Sequence, residues 1–141
     1  MKPKLEVGLS LTVTKIVPPE WSADKMGNPG IDVFATPAVV GLLDVLAHEC
    51  ILPTLDPGQG TVGTDIKIQH LAATPIGMRV HARAEVVEIK DRRVLVRVEA
   101  FDAFDKIAAG TIERYVVPSI AKFLERVAIK SKRGENGEQG S

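Results

Sequence analysis

Apolar and polar positions along this chain change period several times, and each change marks an element. Residues 8–17, GLSLTVTKIV, alternate like a first strand, and Pro18-Pro19 closes it. The next stretch, EWSADKMGNPG, holds turn formers without any period and predicts a loop. Trp21 and Met26 within it are large apolar groups that either pin the loop to a core or line a ligand entrance. From Ala35 the pattern becomes TPAVVGLLDVLAHECILPTL, with apolar residues on almost every helical face. A helix of that kind is buried. Thr36 before Pro37 predicts an N-cap and a first helical residue that needs no N–H, while Pro53 and Asp56-Pro57-Gly58 end the helix.

Four extended segments follow, at about 61–74, 77–90, 93–104 and 106–117. In the second, Val80, Ala82, Ala84 and Val86 alternate with Arg79, His81, Arg83 and Glu85. Asp91-Arg92 is a short turn into VLVRVEAF, which predicts a hairpin, and one-side-polar strands joined by short turns pair antiparallel. Residues 119–130 have Ser119 as a cap and apolar Ile120, Phe123, Leu124 and Val127 at helical spacing. The chain thus reads as one domain over 1–130 with a polar, flexible tail at 131–141. One buried helix with one sheet to cover it requires that sheet to curl. This is an α+β architecture of the hot dog type, a curved antiparallel sheet wrapped around one long central helix. A helix so apolar also calls for a second copy against it, as a homodimer or a dimer of dimers.

Composition narrows the function. Eighteen basic and eighteen acidic residues cancel, and aromatic content is 4%, so no nucleic-acid partner is expected. No apolar run suggests a membrane span, and the start MKPKLEVG lacks the apolar centre of a signal peptide. A single cysteine, Cys50, excludes an internal disulfide and any multi-cysteine metal site. These features predict a cytoplasmic protein.

Candidate chemistry lies where polar residues break the apolar pattern. Asp44 interrupts the buried helix, and His48 one turn later is placed to pair with it. Counting back in twos from His70 gives Ile68, Ile66 and Thr64, which puts an imidazole on the inward face of its strand. That strand should pack on the helix carrying Asp44, so Asp44 and His70 are expected to form an acid–base pair. Thr36 lies eight residues before Asp44, a rise of roughly 12 Å, too far for contact within one straight helix. Either the helix begins later or bends, or a bound ligand or partner subunit bridges the two positions, which argues for a site composed at a dimer seam. Gly63 opens a strand, where a ligand can approach the backbone N–H. The turn Asp56-Pro57-Gly58-Gln59-Gly60 lacks the residues of a phosphate loop, and Cys50 is expected to pack. The three histidines show no ligand spacing, so no metal or other cofactor is expected.

The stretches FATPAVVGLL, PGQGTVGT and HLAATPIG resemble the hot dog thioesterases related to fluoroacetyl-CoA thioesterase, over about residues 31–123. That resemblance implies an acyl-CoA substrate and a catalytic set of Thr36, Asp44 and His70. It also implies that Gly63 holds the thioester carbonyl. Asp44 stands where fluoroacetyl-specific members carry glutamate, and Gly30 stands where they carry a lid phenylalanine. Hydrolysis of a small acyl-CoA is therefore implied, and selectivity for a fluorinated acyl group is not. CoA phosphates would call for basic residues, with Arg79, Arg83, Arg92 and Arg93 as candidates. Two other functions remain compatible with the fold: an enoyl-CoA hydratase or dehydratase, and a non-catalytic acyl-CoA-binding dimer.

Overall fold

The computed structural model describes residues 2–139, with side chains through residue 134. Strand β1 spans Ser10–Ile16, helix α1 Thr36–Ile51, β2 Gly60–His70, β3 Arg79–Lys90, β4 Arg93–Phe101, β5 Lys106–Val117 and helix α2 Ile120–Gln139. The strands form one antiparallel sheet in the order β1-β3-β4-β5-β2, so β1 and β2 are its two edges. Register shifts at Gly63/Asp65 in β2, Val86/Glu88 in β3 and Ala100/Phe101 in β4 mark irregularities in the ladder. Such bulges raise local twist and bend a sheet, as wrapping a helix requires.

The inner face of the sheet is the alternation foreseen from the sequence. Val80, Ala82, Ala84 and Val86 of β3 and Val94, Val96, Val98 and Ala100 of β4 are buried together with Val39, Leu43, Leu46, Ala47 and Ile51 of α1. Each buried leucine or valine contributes roughly 1.5–3 kcal/mol relative to exposure. By length and composition alone, the stretch Thr36–Thr54 is long and apolar enough to cross a membrane. In this fold its apolar length is met by the sheet instead. One strip remains uncovered: Val45 is 53% exposed and Leu52 45%.

Two expectations are corrected. Thr64 falls at the β2 irregularity, and its hydroxyl donates to Glu113 Oε2 at 2.7 Å on the neighbouring strand. The extra residue breaks the count of two, so Thr64 leaves the face of Ile66, Ile68 and His70. Ile66 is itself 43% exposed because β2 is a sheet edge. The last helix, expected to end near residue 130, continues to Gln139. Lys130, Lys132 and Arg133 are good helix formers and carry the turns on without any buried face. The tail is thus helical through residue 139, and residues 140–141 lie outside the described residues.

Candidate active site

The polar residues singled out in the sequence gather in two clusters, one at each end of β2. At the first, α1 begins at Thr36 itself; Ala35 is the cap residue and offers no side-chain bond. The N-cap role expected for Thr36 is not the observed one. Its hydroxyl instead lies 2.7 Å from His70 Nδ1, at the end of β2. His70 is half-buried, and its Nε2 is buried with no protein partner among the described residues. Buried polar atoms nearly always find a partner, so this nitrogen stands out among the described residues. His70, Leu71, Ala72 and Ala73 also line an open hollow of about 240 Å³, and Thr36 is exposed, so the pair is reachable from solvent.

The second cluster centres on Arg114. Its Nη1 donates to Asp44 Oδ1 at 2.7 Å, its Nε to Thr61 Oγ1 at 3.1 Å and its Nη2 to the Thr61 carbonyl at 2.9 Å. Arg114 is 8% exposed, so the three bonds fix its guanidinium as a strut between β5, β2 and α1. Asp44 is held by Oδ1, while its side chain stays 31% exposed. Gly63 lies against this strut: a Cβ there would stand 3.1 Å from Arg114 Nη1 and 3.4 Å from Asp44 Oδ1. His48 Nδ1 is 2.6 Å from Thr61 Oγ1, not paired with Asp44 as its spacing suggested. Burial, and then the Arg114 charge, push the His48 pKa below its ordinary value against the opposing pull of Glu49 and Asp44. Thr61 satisfies both neighbours by accepting from Arg114 and donating to Nδ1 of a neutral His48.

The acid–base pair expected between Asp44 and His70 does not form within one chain, because Asp44 bonds Arg114 and His70 bonds Thr36. The physical reason is distance. Gly63, beside Asp44, and His70 are seven residues apart on β2, roughly 20 Å. Arg114 was not among the residues singled out beforehand. The signal was there: two residues beyond buried Ile112 on the inward face of β5, the chain places a cation.

Other candidates settle into plainer roles. Cys50 is buried, its thiol pushed up by burial, and Sγ reaches the Leu9 carbonyl at 3.8 Å. In the 56–60 turn Asp56 N–H donates to Gln59 Oε1, and Gly58 accepts from Ile120 N–H, which ties the turn to the start of α2. Trp21 stacks on Phe34 with centroids 5.6 Å apart. With Met26, Val13, Leu42 and Val45 it also lines an apolar groove of about 420 Å³ beside α1. The middle of this groove is not at the polar clusters, since Leu42 is turned roughly 200° round the helix from Asp44. Lys90, Arg92 and Arg93 line a hollow of about 350 Å³ with Asp91 and Tyr115, whereas Arg83 is paired with Glu85 at 2.8 Å. Among the described residues no three His, Cys, Asp or Glu side chains converge as a metal-ligand set.

An antiparallel sheet curled around one apolar helix, with polar side chains of α1 and β2 at reachable positions, is a hot dog fold, and the following similarities make it a thioesterase, a hydrolase of acyl thioesters. A profile of the fluoroacetyl-CoA-specific thioesterases matches residues 17–120, and the chain belongs to that family. It is 36% identical to the fluoroacetyl-CoA thioesterase of Streptantibioticus cattleyicolor, over 95% of this chain and 100% of that one. A solved structure of the fluoroacetyl-CoA thioesterase superposes with a TM-score of 0.82 at 36% identity, over 91% of this chain and 98% of that one. A Thermus thermophilus protein of the thioesterase superfamily gives a TM-score of 0.85 at 29% identity, covering 96% and 99%. A point mutant of the fluoroacetyl-CoA-specific enzyme was solved with fluoroacetate and CoA bound, and it matches at a TM-score of 0.80 and 36% identity over 84% and 99%.

Proposed function

We propose that this thioesterase hydrolyses a small acyl-CoA to the free acid and CoA at a site shared by two copies of the chain. One copy supplies Thr36 and His70; the other supplies Asp44 and Gly63. The observation that carries this reading is the placement of the two clusters on an edge strand. Residues 63–67 of β2 are all exposed, and its outer side has no strand neighbour. An edge of this kind invites a second strand. If β2 pairs antiparallel with its own copy about a two-fold axis between Ile66 and Lys67, residue 63 of one copy falls opposite residue 70 of the other. Each homodimer then has two complete sites, each spanning the seam.

In that arrangement Asp44, held through Oδ1, takes a proton from water with Oδ2, and the water oxygen bonds to the thioester carbon. The carbonyl electron pair moves onto oxygen, which the Gly63 N–H stabilises. Collapse of this intermediate breaks the carbon–sulfur bond. The departing thiolate takes, through water, the proton that Asp44 removed, which returns Asp44 to its carboxylate and closes the cycle. With Thr36 donating to Nδ1, His70 presents its Nε2–H, which hydrogen-bonds the departing sulfur and orients the transfer. Lys90, Arg92 and Arg93 are the basic residues best placed to receive CoA phosphates, being grouped in one hollow.

Subunit mixing tests the shared site. Asp44→Asn and His70→Ala homodimers should each release little CoA. On mixing under exchange conditions, about a quarter of wild-type activity should return, because half the dimers are hybrid and each hybrid holds one intact site. No recovery after verified exchange refutes the shared site, and wild-type turnover in both homodimers refutes the residue assignment. Single turnover in ¹⁸O-water separates base from nucleophile: label in Asp44 would overturn the general-base role.

A further inference from the structure

A buried carboxylate outside both clusters remains unused by this mechanism. Asp102, in the turn between β4 and β5, is 9% exposed, and Thr74, in the loop after β2, is 0% exposed. Thr74 donates its hydroxyl to Asp102 Oδ2 at 2.9 Å, and Asp102 Oδ1 accepts the Phe104 and Asp105 backbone N–H groups, each at 2.8 Å. The carboxylate is therefore locked to its own turn and holds Thr74 by one directed bond. Burial pushes the Asp102 carboxyl up, but the bonds from Phe104, Asp105 and Thr74 outweigh it and leave it below its ordinary value.

Thr74 is where the two halves of the Thr36–His70 pair meet through the backbone. Its carbonyl accepts the Phe34 N–H at 2.8 Å, two residues before Thr36, and Val33 bridges Pro75 beside it. On the other side, Leu71 N–H, next to His70, bonds the Ile107 carbonyl at 2.7 Å. We propose that Thr74 and Asp102 are positioning residues for the hydrolysis, an anchor that sets the segment leading to Thr36 against the end of β2 so that the hydroxyl meets His70. An apolar pair would fill the same space without desolvating a carboxylate. What it would not supply is a fixed direction. This anchor rests on the roles assigned to Thr36 and His70 above.

The test is steady-state hydrolysis of acetyl-CoA by the full-length protein, wild type and variants. Thr74→Val keeps the shape and loses the donor; kcat should fall at least about tenfold with KM within about twofold, since small misplacements of reacting groups are costly. Thr74→Ser should restore most of kcat, and the ¹⁵N resonance of His70 Nδ1 should move in Thr74→Val and return in Thr74→Ser. A folded Thr74→Val with kcat within about twofold of wild type overturns the anchor. Should Thr74→Val fail to fold, Thr74→Ala, which also loses the donor, decides by the same criteria. Thr36→Ala and His70→Ala run alongside. Wild-type turnover in those two defeats the site assignment itself, whereas their inactivity beside an active Thr74→Val defeats the anchor alone.

Discussion

Replacing Arg114 by methionine removes the strut while keeping the volume of its stem. Three bonds disappear: one to Asp44 at 2.7 Å and two to Thr61 at 3.1 and 2.9 Å. The bonds to Thr61 are each worth about 1 kcal/mol net. The ion pair lies between two regimes, since fully exposed pairs give up to about 1 kcal/mol and truncating a buried one costs about 3–5 kcal/mol. Arg114 is 10% exposed at its side chain, but Asp44 is 31% exposed and water compensates part of its loss. A value of about 2 kcal/mol for the pair follows, and Arg114→Met should cost about 3–4 kcal/mol in all. Urea unfolding at fixed protein concentration reads this directly, with Tm lower by roughly 10 °C. A cycle with Asp44→Asn isolates the pair and should return a coupling of about 1–2 kcal/mol. A coupling below about 0.5 kcal/mol would refute the claim that Arg114 holds Asp44, whatever the single variants do to kcat.

Three further outcomes follow from the same geometry. His48 has its pKa lowered by burial and by Arg114, so its contribution to stability is present above the unfolded value of 6.5 and is lost as pH falls from there through the folded value. Urea midpoints measured from pH 8 to 5 should drop in wild type and drop less in His48→Gln; parallel curves would contradict this. Gly63→Ala places a methyl 3.1 Å from Arg114 Nη1, so CoA release should fall at least about tenfold while the melting temperature changes little, and retained turnover would show that the strut yields freely. Gly110→Ala puts its Cβ 1.9 Å from the Lys67 carbonyl and 2.8 Å from Ile68 Cα, forcing β5 from β2. It should cost about 3 kcal/mol or more by chemical unfolding, and a near-neutral result would contradict the observed closeness of those strands.

The period of the chain made the fold legible. Alternation in β3 and β4 foretold the inner face, and the all-round apolar run at 36–51 foretold a helix that the sheet must enclose. Edges were harder. The β2 register shift near Thr64 leaves no mark in composition, so a count of two carried across it assigned Thr64 to the wrong side. The candidates Asp44 and His70 stood out because each breaks an apolar pattern, whereas Thr36 and Gly63 joined them as a set through the family resemblance. Their partners could not, because hydrogen bonds between distant elements depend on how strands align. Arg114 is the clearest case: it becomes visible as the mate of Asp44 only once β5 is laid beside β2 with Gly63 opposite Arg114.

The chain contains one tryptophan, Trp21, and it is stacked on Phe34 at the border of the α1 groove. Its carbonyl accepts the Ala35 N–H at 2.8 Å, immediately before Thr36. Tryptophan emission from this protein therefore originates at a single residue whose backbone is one hydrogen bond from the start of the central helix. The molecule carries its own optical reporter, and stopped-flow mixing with CoA esters can follow events at the helix entrance without any attached dye.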